Sequence, residues 1–526
     1  MAWKKFRERF KKHKPDENQF VLGLDLGNAM SSIAYFDAIR QAPEVIDMSG
    51  GYGKPSVPTV LQYAPAAKEW IYGEYAVLNH DTGREQTFNN LVDRLGKNEY
   101  AEVNGKPISA ASLLGLYCKD LVSACKSLNP KAEIAGIVAA VPSYITDNAK
   151  AEYLAAFQAA GLERELITLL PDRECIFHRY YYNKPPAAER ILLLDFGSRE
   201  IRGGIYDTAP DAALGLHIDC VSSLFDRSLG VQHVNARVQD YFSDFYCTKT
   251  NTAKDALPAS VQAQLLVFTH QHKDLLFQKA PGVKPVKLYY NFAYPPLQQA
   301  VSAEDVHGLI APFADGFTAF LQNVCSKTVA AHTSNPVTRE GIQTVLCTGG
   351  GFEMLWARQL VQAAFPDSRV VFGRNVKGMI AEGAGIAAAA ALGIIPAKAQ
   401  RVTDRHMLNT DIGIKVLTEQ KERFMPLVER NSFWWQEREP AYFILNEATG
   451  TQTTALELFR RTETGEIRPL GRAALAGLPA RPAGTTKLKL LCRCDSYDTL
   501  TAVVADAGFG ELFPSCGFEK TYHFAL

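Results

Sequence analysis

Two stretches of the chain share one skeleton: "LGLDLGNAMSSIAYFD", residues 22–37, returns 170 positions later as "LLLDFGSREIRGGIYD", residues 192–207. Each runs apolar residues into Asp-x-Gly and, twelve residues after the first Asp, reaches a second Asp preceded by an aromatic (Asp25 and Asp37; Asp195 and Asp207). A short apolar run ending at a glycine predicts a buried strand, so each copy specifies a strand, a turn at Gly27 or Gly197, and a returning strand. A carboxylate at the strand tip, with bare amides beyond it, suits hydrated Mg²⁺ and the phosphates of a nucleotide, because glycine has no Cβ to block the anion. In one copy the same residues would mark a tight turn with a capping Asp. Two copies at one spacing favour a clamp, with Asp25 and Asp195 as its matched carboxylates.

The rest of the first 390 residues alternates strands and helices. Ile108 to Leu128 carries helical periodicity through Leu114, Tyr117, Leu121 and Cys125, with Pro107 just before it. "IAGIVAAVPSYITD" is a strand stopped by Pro142, since proline cannot donate to a ladder. A helix follows from about Asp147 to Ala160, closed by Gly161. "TVLCTGGGFEMLWARQLVQAAF" is a strand, a glycine turn and a helix, and "NVKGMIAEGAGIAAAAALGI" is a helix whose small side chains allow close packing. Gly349, Gly350 and Gly351 could receive a nucleoside or phosphate at a helix start, or could serve close helix–strand packing. This alternation, twice over, predicts an α/β domain of two related halves.

At 526 residues the chain exceeds what one core supports. After about Gly393 the pattern changes: "IPAKAQRVTDRHMLNT" is polar and patternless, which predicts a linker, and beyond it "TTALELFRR" and "KLKLLCRCD" alternate with period two. The expected organisation is a basic tail, 1–19; an α/β domain, 20–395; a linker, 396–410; and an antiparallel β domain, 411–526. A 47% hydrophobic and 21% charged composition excludes disorder, and 56 basic against 56 acidic residues give no net field for a nucleic-acid partner. Ten cysteines without CxxC spacing predict free thiols in a reducing compartment. With no export signal and no long apolar run, a cytoplasmic location is expected. The start, "MAWKKFRERFKKHK", could lie on an anionic membrane, dock on an acidic partner, or remain a solvated tail.

The order of these motifs, with "VPSYITDNAKAEYLAAFQAAGL", "LGVQHVNARVQDYF" and "AEGAGIAAA", resembles the two-lobed actin-like (ribonuclease H-like repeat) ATPase fold of the heat shock protein 70 family. Sugar kinases share the phosphate loops; "FMPLVERNS", "LAGLPARPAG" and "KLKLLCRCDSYDTLTAVVAD" are instead similar to the all-β sandwich that binds peptide or protein clients in these chaperones. The resemblance implies ATP or ADP as ligand, with Mg²⁺ held through water by Asp25 and Asp195. It places Gly27, Asn28, Ala29, Gly197, Ser198, Arg199 and Gly230 at the phosphates, and Lys273 with Gly349, Gly350 and Gly351 near the nucleoside. Pro142 and Lys150 fall in the interdomain relay, where the family has proline and arginine.

The departures bear on chemistry. The family's two threonines after Asp-x-Gly are Asn28 and Ala29; its catalytic lysine becomes Asp93 in "NNLVDRLG", unless Lys97 substitutes; its catalytic glutamate becomes Leu170. The second loop reads Gly197, Ser198, Arg199, Glu200 where the family has three glycines and a threonine, and the adenine-clasping helix keeps Thr269, His272 and Lys273. Phosphoryl transfer rests on positioning and charge, and one arginine in such a site is worth roughly 10³ to 10⁵ in rate. Losing the lysine and glutamate therefore implies a weak ATPase at most. Arg199 could return charge to a phosphate, fill the pocket, or pair with Glu200. The β domain is expected to lack the family's helical lid, and Phe433, Trp434 and Trp435 could form an exposed patch or pack inward. The expected function is a chaperone-like protein that binds nucleotide weakly, or a pseudo-ATPase scaffold that binds none.

Overall fold

A computed structural model describes residues 19–48, 53–78, 86–97, 99–128, 130–143, 145–212, 215–277, 284–326, 338–373, 375–396, 400–404, 408, 410–418, 421–430, 432, 434, 438–451, 454–462, 465–496 and 499–526. The basic tail, Phe433 and Trp435 lie outside these residues. The described chain forms two compact units, one running to Thr403 and the other from Asp404. It is a mixed α/β architecture of several sheets.

The first unit repeats one strand arrangement. In its first sheet β1 (Gln19–Leu26) pairs antiparallel with β2 (Met30–Asp37) and parallel with β3 (Glu133–Val141), and β3 pairs parallel with β4 (Ile167–Pro171). In the second, β5 (Glu189–Phe196) pairs antiparallel with β6 (Ile201–Asp211) and parallel with β8 (Thr344–Thr348), which pairs parallel with β9 (Arg369–Phe372). β7 (Gly215–Asp226) extends this second sheet beyond β6. The copies match residue for residue: Asp25 stands opposite Ser32 and Ala140, and Asp195 opposite Arg202 and Thr348.

Period-two alternation decides where those carboxylates face. Leu22 and Leu24 enter a core with α2 (Ala110–Leu128) and α3 (Asp147–Ala159), following α1 (Gly73–Leu78) in the chain. Leu192, Leu194 and Phe196 enter a second core, with α5 (Val231–Thr250), α6 (Ala259–Phe277) and α7 (Ala303–Ser326). Val21, Ile191 and Leu193 point the other way, into a third core shared by both sheets and built around α4 (Asp172–Tyr180) and α9 (Met379–Ala391), α8 (Leu355–Ala364) lying between β8 and β9 in the chain. Asp25 and Asp195 continue the Val21 and Leu193 series, so both end against this shared layer.

The layer closes without room for side chains. A Cβ on Gly23 would stand 2.1 Å from both Ala381 O and Gly385 N of α9, and one on Gly383 would stand 1.8 Å from Cys175 O of α4. The alanine-rich helix thus meets strand and helix at backbone distance, as its composition predicts. All ten cysteines are free, and among the described residues no helix is long and apolar enough to cross a membrane. Part of the stretch read as linker departs from expectation: β10 (Gln400–Asp404) is a strand beside β7. An edge strand pairs through its backbone and needs no apolar pattern, so polar composition did not reveal it.

The second unit holds two antiparallel sheets, ordered β12 (Lys421–Val428), β11 (Asp411–Thr418), β14 (Ala455–Arg461), β15 (Ile467–Ala474), and β13 (Ala441–Leu445), β16 (Thr486–Ser496), β17 (Thr499–Asp506), β18 (Glu519–Ala525). One core takes Ile412, Ile414 and Leu458 from the first sheet and Leu488, Leu490, Leu500 and Val504 from the second; Trp434 packs against it. Within the unit, Arg481 Nη1 and Nη2 donate to the buried Asp506 carboxylate at 3.1 and 2.9 Å, and Gly508 N and Cys516 N donate at 3.0 and 2.8 Å. Burial alone would raise the Asp506 pKa, but the Arg481 and backbone donors outweigh it and hold it well below the usual range.

Three outcomes are expected. Gly23→Ala lowers the urea midpoint, at a cost of about 1–3 kcal/mol or more from overpacking. Gly308→Ala, exposed in α7 with nothing within 4 Å of its Cβ, raises it by roughly 0.5–1 kcal/mol. Arg481→Met strands a buried carboxylate and costs about 3–5 kcal/mol near neutral pH. Since the Asp506 pKa is depressed in the fold, its stabilisation exists above the ordinary carboxylate value and is lost as pH falls, so thermal melts should show the penalty shrinking in acid.

Candidate functional site

Each hairpin of the first unit is locked by its own backbone. At the first turn a Cβ on Gly27 would stand 2.4 Å from Met30 O, so only glycine fits. Asn28 Oδ1 accepts from Asp93 N at 2.9 Å, and Ala29 O accepts from Thr59 N at 2.9 Å; both residues therefore serve as braces. At the second turn Gly197 N donates to Glu200 O at 3.0 Å. Gly197 O and Ser198 O accept from Val231 N and Gln232 N, at 3.1 and 2.9 Å. Two amides at the start of α5, where an anion would be welcome, are thus spent on the loop's own carbonyls. Gly230 permits that contact, its Cβ position lying 2.2 Å from Arg199 O.

The three glycines after β8 divide in role. Gly349, at φ +93°, backs onto the carboxylate: a Cβ there would stand 2.7 Å from Asp195 Oδ1. Gly351 lies against the Phe196 ring, where a Cβ would approach to 2.2 Å. These two serve close packing. Gly350 meets only the flexible Lys377 side chain, 3.2 Å away, and is the one with space for a ligand. Lys377 Nζ pairs with Glu353 at 2.5 Å. Lys273 of α6 belongs to this charged group; burial lowers its pKa, with Lys377 acting in the same direction. Thr269 is buried and bonds within its helix to Leu265 O, while His272 bonds to Phe268 O and stacks on the Phe268 ring.

Between the strand tips lies a cluster of charge. Arg202 of β6 places Nη1 2.7 Å from Asp172 Oδ2, Nη2 2.9 Å from Asp195 Oδ2, and Nε 3.5 Å from Glu200 Oε1. Glu200, nearly buried, also takes Arg227 at 3.3 Å, and Ser143 Oγ donates to Asp172 at 2.8 Å. Burial, then repulsion from Asp195 and Asp172, raises the Asp25 pKa to about 7 against the pull of Arg202. Asp195 rises to about 6, chiefly by burial, with Arg202 opposing and Asp172 and Glu200 adding.

Arg199 does not pair with Glu200. Its guanidinium bonds to Asp93 of the first half, a carboxylate that Asn28 already holds in place. A cation here found the nearest uncompensated carboxylate, and Glu200 was taken by Arg202 and Arg227. Lys97 is exposed, and Leu170 packs against the shared core. Pro142 ends β3 and accepts from Ile145 N at 3.1 Å; Lys150 pairs locally with Asp147 at 3.8 Å. Farther along the same unit, His270 of α6 meets Glu74 of α1 at 3.0 Å, and Lys54 joins at 3.2 Å.

As it stands this donor set does not fit a divalent cation. An Asp195 oxygen is already committed to Arg202, and among the described residues no cluster of three His, Cys, Asp or Glu side chains could hold a metal. Sequence reasoning missed Asp172 and Arg202. Arg202 was detectable, because it falls seven residues after Asp195 where the other copy has Ser32 seven after Asp25. Asp172 carried no such signal.

The chain is thus an α/β protein with duplicated Asp-tipped hairpins and a separate antiparallel β unit. It is 22% identical to a chaperone protein HscA homolog of Ralstonia nicotianae, over 97% of this chain and 79% of that one. It is 20% identical to the chaperone protein DnaK of Thermotoga petrophila, over 94% and 80%, and 20% identical to the chaperone protein dnaK1 of Synechocystis, over 93% and 70%. Residues 407–526 match a domain of unknown function, DUF8552, and residues 42–203 match the C-terminal part of a family of unknown function, DUF5716. Across nearly its whole length the chain is thus distantly similar to chaperones of the heat shock protein 70 family.

The raised Asp25 pKa has a measurable consequence. A carboxyl whose pKa rises on folding stabilises the fold below its ordinary value and loses that contribution as pH climbs through about 7. Asp25→Asn, which imitates the neutral form, should melt higher than wild type above about pH 7, by up to a few kcal/mol in stability, and show little difference near pH 4. Melting curves across that range check it.

Proposed function

We propose that the first unit binds an adenine nucleotide weakly and hydrolyses it very slowly or not at all, and that the β unit holds a peptide or protein client. The observation that carries this reading is the matched pair of strand tips: Asp25 and Asp195 occupy equivalent registers, face one shared layer, and each precedes a glycine turn, with Gly349 backing Asp195. In this reading residues 20–395 form a two-lobed actin-like nucleotide-binding domain, 396–410 the connection, and 411–526 a β-sandwich. Gly350, Lys273 and Lys377 take the nucleoside end; Asp25, Gly27, Gly197 and Ser198 take the phosphate end, with Arg199 beside them on Asp93. Pro142 and Lys150 belong to the relay toward the β unit, and the protein works in the cytoplasm as a chaperone or chaperone-derived protein.

Slow chemistry follows from what surrounds the tips. Arg199 is paired with Asp93 instead of being aimed at a phosphate, Leu170 offers no group to orient water, and the first amides of α5 are occupied. Positioned charge of that kind supplies most of the rate in phosphoryl transfer. For the client, the edge strand β13 has exposed Tyr442 and Ile444 on one face while Phe443 and Leu445 pack inward, a row suited to strand addition. The second reading is a pseudo-ATPase scaffold with no nucleotide; it is favoured by the density of salt bridges already filling the tips.

Calorimetric titration with ADP and ATP separates the two. Micromolar-range heat on the wild type supports binding, whereas no heat and no thermal shift support the scaffold. Asp93→Asn keeps its backbone bond to Asn28 but frees Arg199, so ADP affinity should rise about three- to tenfold, the scale of one charge-assisted contact at a partly exposed site. Unchanged or weaker affinity would show that Arg199 does not face the ligand.

A further inference from the structure

We propose that Arg202 is a resident cation that takes the place of a divalent metal, so that the cleft accepts its phosphate-bearing ligand metal-free. The ligand half of this statement rests on the nucleotide reading above; the exclusion of metal does not. Arg202 stands at the junction of both halves. It rises from β6 directly opposite Asp195, and its two terminal nitrogens reach Asp195 and Asp172 at 2.9 and 2.7 Å, while Nε faces Glu200 at 3.5 Å. These contacts are fixed from behind: Ser143 Oγ and Arg173 N donate to Asp172 at 2.8 and 2.7 Å, and Gly349 presses on Asp195.

A guanidinium and a hydrated divalent ion compete for the same carboxylate oxygens. The guanidinium is tethered by its own strand, so it holds them at high effective concentration without losing translational freedom, whereas the ion must displace it. The carboxylates it holds are also nearly buried, so moving Arg202 aside would leave them unpaired unless the ion replaced every contact. The first copy makes the contrast, since Ser32 at the equivalent register brings no charge and instead donates to Lys377 O at 3.0 Å. The cation is therefore an asymmetric feature, present in one hairpin and serving both tips. Its side chain stays 29% exposed, which leaves the guanidinium reachable by a ligand anion.

Without Arg202 the cluster of Asp25, Asp172, Asp195 and Glu200 has lost its central countercharge, and a metal becomes the natural replacement. The test uses Mn²⁺ alone, followed by the loss of its free-ion electron spin resonance signal, on the full chain. Wild type and Arg202→Lys should show no site that depends on Asp195. Arg202→Gln, close in shape but neutral, should bind Mn²⁺ at least about tenfold more tightly than wild type, as expected for unpaired carboxylates, and adding Asp195→Asn should abolish the gain. Circular dichroism of each variant establishes that it is folded. In parallel, ADP titrated into wild type should give the same affinity in MgCl₂ as in EDTA.

An Asp195-dependent Mn²⁺ site in the wild type, no gain in a folded Arg202→Gln, or ADP binding that disappears in EDTA would each overturn the proposal. Absence of ADP heat in both solutions would sink the nucleotide reading instead, and the Mn²⁺ result would still decide the role of Arg202.

Discussion

The first unit depends on the closeness of α9 to β1 and α4. Gly23 and Gly383 bring backbone against backbone where even a methyl group would collide, and that contact fixes the third core between the two sheets. Because the strands alternate, the same layer determines where the tips point: Val21 and Leu193 enter it, and Asp25 and Asp195, four and two positions later on the same faces, must border it. The site is thus a by-product of packing. A strand that buried its other face would have sent its carboxylate into an apolar core.

Two carboxylates forced against an apolar layer are costly, and the chain answers with arginine. Arg202 binds Asp172 and Asp195, Arg227 shares Glu200, and Arg199 crosses to Asp93. Burial still leaves Asp25 with a pKa of about 7 and Asp195 about 6, so compensation is incomplete. A residual strain of this kind at paired groups is a mark of a functional site more than of a structural one. The same arginines that relieve it also occupy the oxygens and loops on which phosphate chemistry would draw. On the proposed reading, binding and catalysis are therefore separable here, with binding kept.

Much of the scaffold was legible in the sequence because its signals are local. The duplicated hairpins, the helix closed at Gly161, the strand ended by Pro142 and the small-residue helix all follow from periodicity and from what proline and glycine permit. The charge network was not legible. Arg199 and Asp93 are 106 positions apart and Arg202 and Asp172 30 apart, and no spacing rule links residues that only the fold brings together. The glycines after β8 illustrate the boundary: sequence could say that packing or a ligand required them, and coordinates were needed to assign Gly349 and Gly351 to packing and leave Gly350 open. β10 escaped because edge pairing leaves no apolar trace.

The central claim is that the two hairpin tips form one ligand site. Hydrogen exchange of the full chain with and without ADP addresses it directly. The account expects slower exchange in both turns, residues 25–29 and 195–200, and near Gly350, with the remainder of the first unit changing little. Protection in one turn only, or confined to segments away from both, would contradict a shared site.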